Sequence, residues 1–307
     1  HLELIVGQFF SEYHLNLYQC WQCVKYGTIS QEESVQRVAF FFQFLLLACS
    51  TQSSRSHYIL AEKLWSDRKY QASVQEFEKA YAKDPQSLLG KEALYKAGLT
   101  QCLFLSQYDE AIAKFKMYIA GHEPSEHTWN AKLQIGEILF LKTEQYGLAI
   151  AHYQSLLEEA PDHEDAPGFL FAIGKSAFYS FKFDLAIATY ETLITRFGNS
   201  AFAKNAEFEI AATYYMQGEK RTASQGSADI FYQKAKKKYE QFIKKYPESS
   251  LIPEAQFGVA SCLEALGHLE DAIVIYRKIQ NLYPSRHAIE SKIKRISRRM
   301  LEQKRSR

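Results

Sequence analysis

The sequence predicts an all-α fold of about six stacked helical hairpins closed by a C-terminal capping helix. Three observations predict it: one helical pattern recurs six times, a set of small residues recurs half a period upstream, and the last segment carries a single apolar stripe. Composition agrees. The 307 residues include 20 Tyr and 21 Phe against only 7 Pro and 14 Gly, a balance that favours helices packed with aromatic rings.

The six copies read "KYQASVQEFEKAYAKDP" (69–85), "QYDEAIAKFKMYIAGHEP" (107–124), "QYGLAIAHYQSLLEEAP" (145–161), "KFDLAIATYETLITRFG" (182–198), "YQKAKKKYEQFIKKYP" (232–247) and "HLEDAIVIYRKIQNLYP" (268–284). In each, a small residue is followed four positions later by an aromatic: Ser73/Phe77, Ala111/Phe115, Ala149/Tyr153, Ala186/Tyr190, Ala235/Tyr239 and Ala272/Tyr276. That spacing puts both side chains on one helical face. Most copies close on Pro or Gly, which stops the helix. The small residues are separated by 38, 38, 37, 49 and 37 positions.

Upstream of these helices a second set is marked by Gly98, Gly136, Gly174 and Ala212, each 38 apart. A glycine or alanine on the first helix lets the second approach closely, and the aromatic fills the space beside it. One such hairpin cannot bury its apolar face alone, so hairpins stack. The 49-residue interval marks an insertion at "GEKRTASQGSADIF" (218–231), polar and loop-like. It reads either as a tolerated surface insertion or as a functional loop.

The pattern over residues 57–284 resembles the tetratricopeptide repeat, with a period longer than the usual ~34 residues. The resemblance implies a right-handed superhelix whose concave face is lined by the first helix of each hairpin. Lengthened repeats ending as Tyr246-Pro247-Glu248-Ser249 and Tyr283-Pro284-Ser285 do are similar to those of bacterial envelope lipoproteins. The BamD component of the outer-membrane β-barrel assembly machinery and the repeats of the Tol–Pal coordinator protein are the nearest in kind.

The final segment, "RHAIESKIKRISRRMLEQKRSR" (286–307), places Ile289, Ile293, Ile296 and Met300 on one stripe. It fits the polar-backed helix that closes a solenoid. From Ser291 to Arg307 the charge is +7, so the rest of a chain of net +2 stands at about −5. The basic face reads as a solvated surface, or as a contact for anionic lipid headgroups or an acidic partner. No aromatics interleave with these charges, which argues against nucleic acid.

The N-terminal region carries the run "RVAFFFQFLLLACSTQSSRS" (37–56). A membrane-spanning helix needs about 20 apolar residues, and this run is shorter. A buried core helix is a second reading. The third is a secretory signal, with Arg37 as its basic region, Val38 to Leu47 as its apolar region and Ala48 at the cleavage zone. The tetrad Leu46-Leu47-Ala48-Cys49 resembles the lipobox of bacterial lipoproteins. That resemblance implies cleavage before Cys49, its acylation and, with Ser50 following, retention in the outer membrane on the periplasmic side. The methionines stand at 117, 216 and 300, and the chain starts with His1. The expectation is a non-native or upstream-extended segment over 1–34, with a start near Val35. The organisation expected is therefore a signal peptide at 35–48, a linker at 49–56, repeats at 57–284 and a basic capping helix at 285–307.

Chemistry-bearing patterns are sparse. Cys20-Trp-Gln-Cys23 is a C-x-x-C with no second pair. Cys102 and Cys262 sit in apolar helical patterns, as buried thiols do. His122 and His127 flank "EPSE", and "DHED" occupies 162–165, but acidic turn residues more often serve helix N-termini. Phosphate-loop, nucleophile-elbow and zinc-protease motifs are missing from the sequence. We expect a non-enzyme with no cofactor and no metal, binding extended or helical peptide segments of protein partners, β-barrel assembly components among them. A second class is an envelope coordinator, or a secretion or motility scaffold, of the same fold. Counting one and four positions after the small-residue markers and three before selects Tyr95, Cys102, Leu133, Glu137, Phe140, Phe171, Lys175, Phe178, Thr213 and Met216 as the inward-facing set. Aromatics in such a set are candidate binding anchors, or they pack between adjacent helices.

Overall fold

The structure is a computed structural model and describes residues 53–221 and 227–305. The expectations for 1–34 and 35–48, and for Cys49, fall outside these residues. Among the described residues there are thirteen helices and no strand. They are α1 (53–66), α2 (Tyr70–Lys83), α3 (Leu88–Thr100), α4 (Tyr108–Ala120), α5 (Glu126–Glu137), α6 (Tyr146–Glu159), α7 (Ala166–Tyr179), α8 (Phe183–Arg196), α9 (Ala201–Glu219), α10 (Asp229–Lys245), α11 (Ile252–Ala265), α12 (Leu269–Ile279) and α13 (Arg286–Arg305). The chain order gives six helix pairs: α1–α2, α3–α4, α7–α8, α9–α10 and α11–α12 pack as hairpins, and the end of α5 meets α6 where Gly136 faces Tyr153. The chain divides into two compact units, one up to Ile135 and one from Gly136 onward.

Local signals start and stop these helices. Ser87 caps α3 by accepting from the Gly90 amide at 3.0 Å, and Ser200 caps α9 by accepting from the Ala203 amide at 3.2 Å. Proline occupies the first turn of α7 and α11, where its missing N–H costs nothing. Inside five hairpins the chain reverses through one left-handed residue: Arg68, Ser106, Glu144, Phe181 and Gly267, with φ between 52° and 85°. Both α3 and α5 run into a π-helical turn, Gln101–Leu105 and Ile138–Lys142.

All twelve residues of the six small–aromatic pairs are buried. Ser73 is the one polar member, and its hydroxyl is satisfied by donating to the Ala61 carbonyl at 2.8 Å. The glycines behave as the spacing predicts. A Cβ at Gly98 would lie 3.1 Å from the Phe115 ring, one at Gly136 2.7 Å from Tyr153, and one at Gly174 2.3 Å from Tyr190. At Gly136 and Gly174 a side chain would collide with the ring, and at Gly98 the contact would be tight.

In the first unit, Ala61, Val74, Phe77, Ala80, Ala93 and Ala97 form the core of the opening hairpins. In the second, one cluster joins Ala211, Tyr239, Phe242, Val259, Tyr276, Ile289 and Ile296, so α13 closes the last hairpin with its apolar stripe. Ion pairs at a 34-residue spacing tie successive hairpins together within each unit: Glu62–Lys96 at 2.9 Å in the first, Asp162–Arg196 at 3.2 Å and Lys175–Glu209 at 3.1 Å in the second.

Three expectations change. Part of the linker expected at 49–56 belongs to the repeats, because α1 begins at 53 and the buried Ser54 donates to the Ala80 carbonyl at 2.8 Å. The 218–231 segment is not loop throughout, because α9 runs to Glu219 and α10 begins at Asp229. Gly218 lets the Tyr232 ring close on α9, and Tyr232 Oη donates to Glu219 at 3.0 Å, so part of the insertion lengthens both helices. The fourth small-residue marker also shifts. Ala212 is only partly buried, whereas Ala211 is fully buried. The spacing from Gly174 contracts to 37 there, and counts made from Ala212 run one position late.

Candidate partner-binding surface

The inward-facing set divides by environment. In the first unit Tyr95 is half-buried on α3, its ring 5.6 Å from Phe115 and 5.1 Å from Tyr118. Leu133 is half-buried and Cys102 is a buried thiol. In the second unit Glu137 is exposed, while Phe140, Phe171, Lys175, Phe178 and Met216 are half-buried. Phe171 lies 5.9 Å from Tyr190 and 5.5 Å from Phe202, so it packs between helices. Thr213 is fully buried, and its hydroxyl donates to the Glu209 carbonyl at 2.7 Å, so it offers nothing to a partner. Its place in the set follows from the one-residue slip at Ala212. The corrected count gives Ala212 and Tyr215, and Tyr215 packs its ring 5.6 Å from Tyr232.

Lys175 and Phe178 come together on α7. The Lys175 ammonium sits 5.7 Å from the Phe178 ring and 5.1 Å from the Tyr179 ring, attractive cation–π distances. It donates to Glu209 at 3.1 Å. Burial disfavours the ammonium, but Glu209 and Tyr179 together outweigh this and hold its pKa above the ordinary lysine value.

Around Phe178 the rings continue as one run. Phe140 meets Tyr146 at 6.3 Å, Tyr146 stacks on Tyr179 at 5.2 Å, Tyr179 meets Phe178 at 5.5 Å, Phe178 meets Phe183 at 6.2 Å and Phe183 meets Phe181 at 6.1 Å. The Lys220 ammonium lies 4.7 Å from the Phe181 ring. Phe140 and Phe178 are thus linked through two tyrosine rings. Within this run Tyr179 is 43% and Phe181 60% exposed.

Family models described as tetratricopeptide repeat match residues 92–122 and residues 231–287. No curated protein matches the chain in sequence. Among solved structures, a tetratricopeptide repeat protein from Parabacteroides merdae aligns with a TM-score of 0.53 at 16% identity, covering 83% of this chain and 89% of that one. The C-terminal part of a TPR repeat-containing protein from Cytophaga hutchinsonii aligns with a TM-score of 0.51 at 20% identity, covering 73% of this chain and 78% of that one. The fold is that of the tetratricopeptide repeat.

Sequence reasoning missed Tyr179 and Phe181, the exposed members of the aromatic run, although "YSFKF" (179–183) is dense in rings. It also missed Glu264. This carboxylate is buried at the end of α11, and α13 of the tetratricopeptide-repeat array closes over it. Lys292 Nζ lies 3.1 Å from its Oε2, Arg295 pairs with its Oε1 and Arg299 stands at 3.9 Å. Tyr276 Oη donates to it at 3.4 Å. Burial pushes the carboxyl up, but Arg295 and Lys292 outweigh that and hold it below the usual range. Three cations of the basic helix therefore reach toward Glu264, Lys292 half-buried and Arg295 and Arg299 still open to solvent.

The histidine turns have local roles. His122 Nδ1 donates to the Tyr118 carbonyl at 2.6 Å, and His163 Nδ1 accepts from the Asp165 amide at 3.2 Å. Among the described residues no group of three or more His, Cys, Asp or Glu is placed to hold a metal ion, and no helix is long and apolar enough to cross a membrane.

Proposed function

We propose that the chain is a non-enzymatic protein-binding scaffold of the bacterial envelope, lipid-anchored through Cys49 at the periplasmic face of the outer membrane and working in outer-membrane protein assembly. The observation that carries the binding part is the aromatic run from Phe140 to Phe181, exposed at Tyr179 and Phe181 beside Lys175. Contiguous exposed apolar side chains mark interaction surfaces, and aromatic anchors dominate their energetics. The anchor is supported by the sequence alone: a basic residue, an apolar run and Leu46-Leu47-Ala48-Cys49. One acyl chain binds membranes only marginally, so firm anchoring requires the multiple acylation that lipobox cysteines receive.

The test is capture from detergent-solubilised outer membrane with the wild-type chain and with Cys49→Ser. The reading predicts β-barrel assembly components among the captured proteins, and loss of lipid label and of membrane fractionation in Cys49→Ser. Unchanged fractionation of the variant would remove the anchor. Capture of coordinator, secretion or motility components in place of assembly components would move the scaffold to another envelope complex.

A further inference from the structure

Large apolar side chains stay exposed at one recurring place. Trp65, Leu103, Leu141 and Tyr179 stand 38 residues apart, Trp65 and Tyr179 at the end of α1 and α7 and Leu103 and Leu141 in the π turns that follow α3 and α5. Their exposures are 42%, 62%, 55% and 43%. In the first unit this place becomes a pocket. Phe77 of α2 forms its floor, Trp65, Leu99, Leu103 and Phe104 its walls, and the Glu62–Lys96 pair stands at its mouth. The π turn at Gln101–Leu105 carries Leu103 and Phe104, and such turns often re-aim side chains at functional sites. Phe104 is held by stacking on Tyr70 at 4.2 Å and by the edge of Trp65 at 5.6 Å.

Size and charge define the occupant. The cavity is about 230 Å³, above the ~150 Å³ that holds a benzene ring and below the ~300–1,000 Å³ of small-molecule sites. It fits one apolar side chain. Lys96 is outnumbered: its ammonium meets Glu62 at the mouth at 2.9 Å and Glu92, one turn earlier on α3, at 3.5 Å, and both carboxylates remain about half exposed, at 45% and 52%. Tyr58 Oη also donates to Glu92, at 2.7 Å. A cation beside the inserted side chain finds acceptors there, and an anion meets like charge.

We infer that this pocket anchors one aromatic or leucine side chain of a partner peptide whose flanking residues are basic. The inference rests on the protein-binding reading and adds a second contact in the first unit, separate from the aromatic run.

A photoreactive peptide tests it on the full chain: acetyl-Gly-Lys-benzoylphenylalanine-Lys-Gly-amide, irradiated and mapped by mass spectrometry. Crosslinks should fall on Trp65, Leu99, Leu103 and Phe104. Unlabelled Lys-Phe-Lys peptide should compete, and Glu-Phe-Glu and Lys-Ala-Lys peptides should compete about tenfold less well. Leu103→Asp alters an exposed position and should lower the yield about tenfold with the helical signal intact. Crosslinks spread elsewhere, equal competition by all three peptides, or an unchanged yield in folded Leu103→Asp would each overturn the inference. Self-association that rises with concentration and disappears in Leu103→Asp would also overturn it, by making a second copy the occupant. Envelope capture through Tyr179 and Phe181 is read separately, so failure of the pocket leaves the scaffold reading standing.

Discussion

Gly174 and Tyr190 are in contact that only glycine permits. A Cβ at position 174 would stand 2.3 Å from Tyr190 Cε1, and Tyr190 is fully buried. The ring occupies the volume that a side chain on α7 would take, and it fixes how closely α7 and α8 approach. Gly174→Ala should therefore cost about 1–3 kcal/mol through overpacking. Gly147, exposed in the first turn of α6, has nothing within 4 Å of its Cβ direction. Gly147→Ala should instead be neutral or stabilising by up to about 1 kcal/mol. Chemical denaturation of the two variants side by side checks both signs.

The capping helix should be held by charge as well as by its isoleucines. Removing Lys292, Arg295 and Arg299 together (all to Met) strands the buried Glu264 carboxylate, at about 3–5 kcal/mol. Glu264→Gln leaves cations that reach solvent and should cost less. The folded pKa of Glu264 lies below its unfolded value of about 4.3. Its contribution is thus full above that pH and is lost as pH falls through the folded pKa. Urea melts of wild type and Glu264→Gln should differ near neutrality and converge in acid. A difference that does not shrink on acidification would rule out this linkage.

How far the sequence reaches can be judged residue by residue. The pairs from Ser73/Phe77 to Ala272/Tyr276 are legible because repetition averages away local ambiguity. The Gly98, Gly136 and Gly174 contacts follow from the same register. Ala211 is not legible, since α9 lengthens into the insertion and the period contracts by one. The exposure of Tyr179 and Phe181 escapes as well, because a ring at the end of a periodic helix looks like core. Glu264 escapes because an acidic residue between apolar ones reads as solvent-facing, and its partners lie on another helix. Of the five left-handed turn residues only Gly267 announces itself, as the other four carry a Cβ.

Phe181 shows what such a turn can store. Its φ of 57° is uncommon for a bulky residue, and the left-handed region costs an L-residue roughly 1–2 kcal/mol. Glycine returns about 0.5–1 kcal/mol of that in backbone entropy. Phe181→Gly should raise stability by roughly 0.5–1 kcal/mol while weakening partner capture. A melt that falls, with capture unchanged, would show the ring to be structural.

Cys262 should be inert while the chain is folded. Burial pushes its thiol up to about 12, so almost no thiolate exists near neutral pH, and the thiolate is the reactive form. Iodoacetamide near pH 8 should leave Cys262 unmodified in native protein and label it after denaturation. Fast native labelling would contradict the packing of α11 against its neighbours.

The central claim is that the aromatic run binds a partner. Its direct test places a photoreactive residue in cells at position 179 or 181 and, as a control, at Lys237, which is exposed on α10. The account predicts discrete crosslinked species at 179 and 181, none at 237, and loss of both in a folded Phe140→Ala, Phe178→Ala background. Equal yields at 181 and 237, or crosslinks that survive the double substitution with helicity intact, would contradict it.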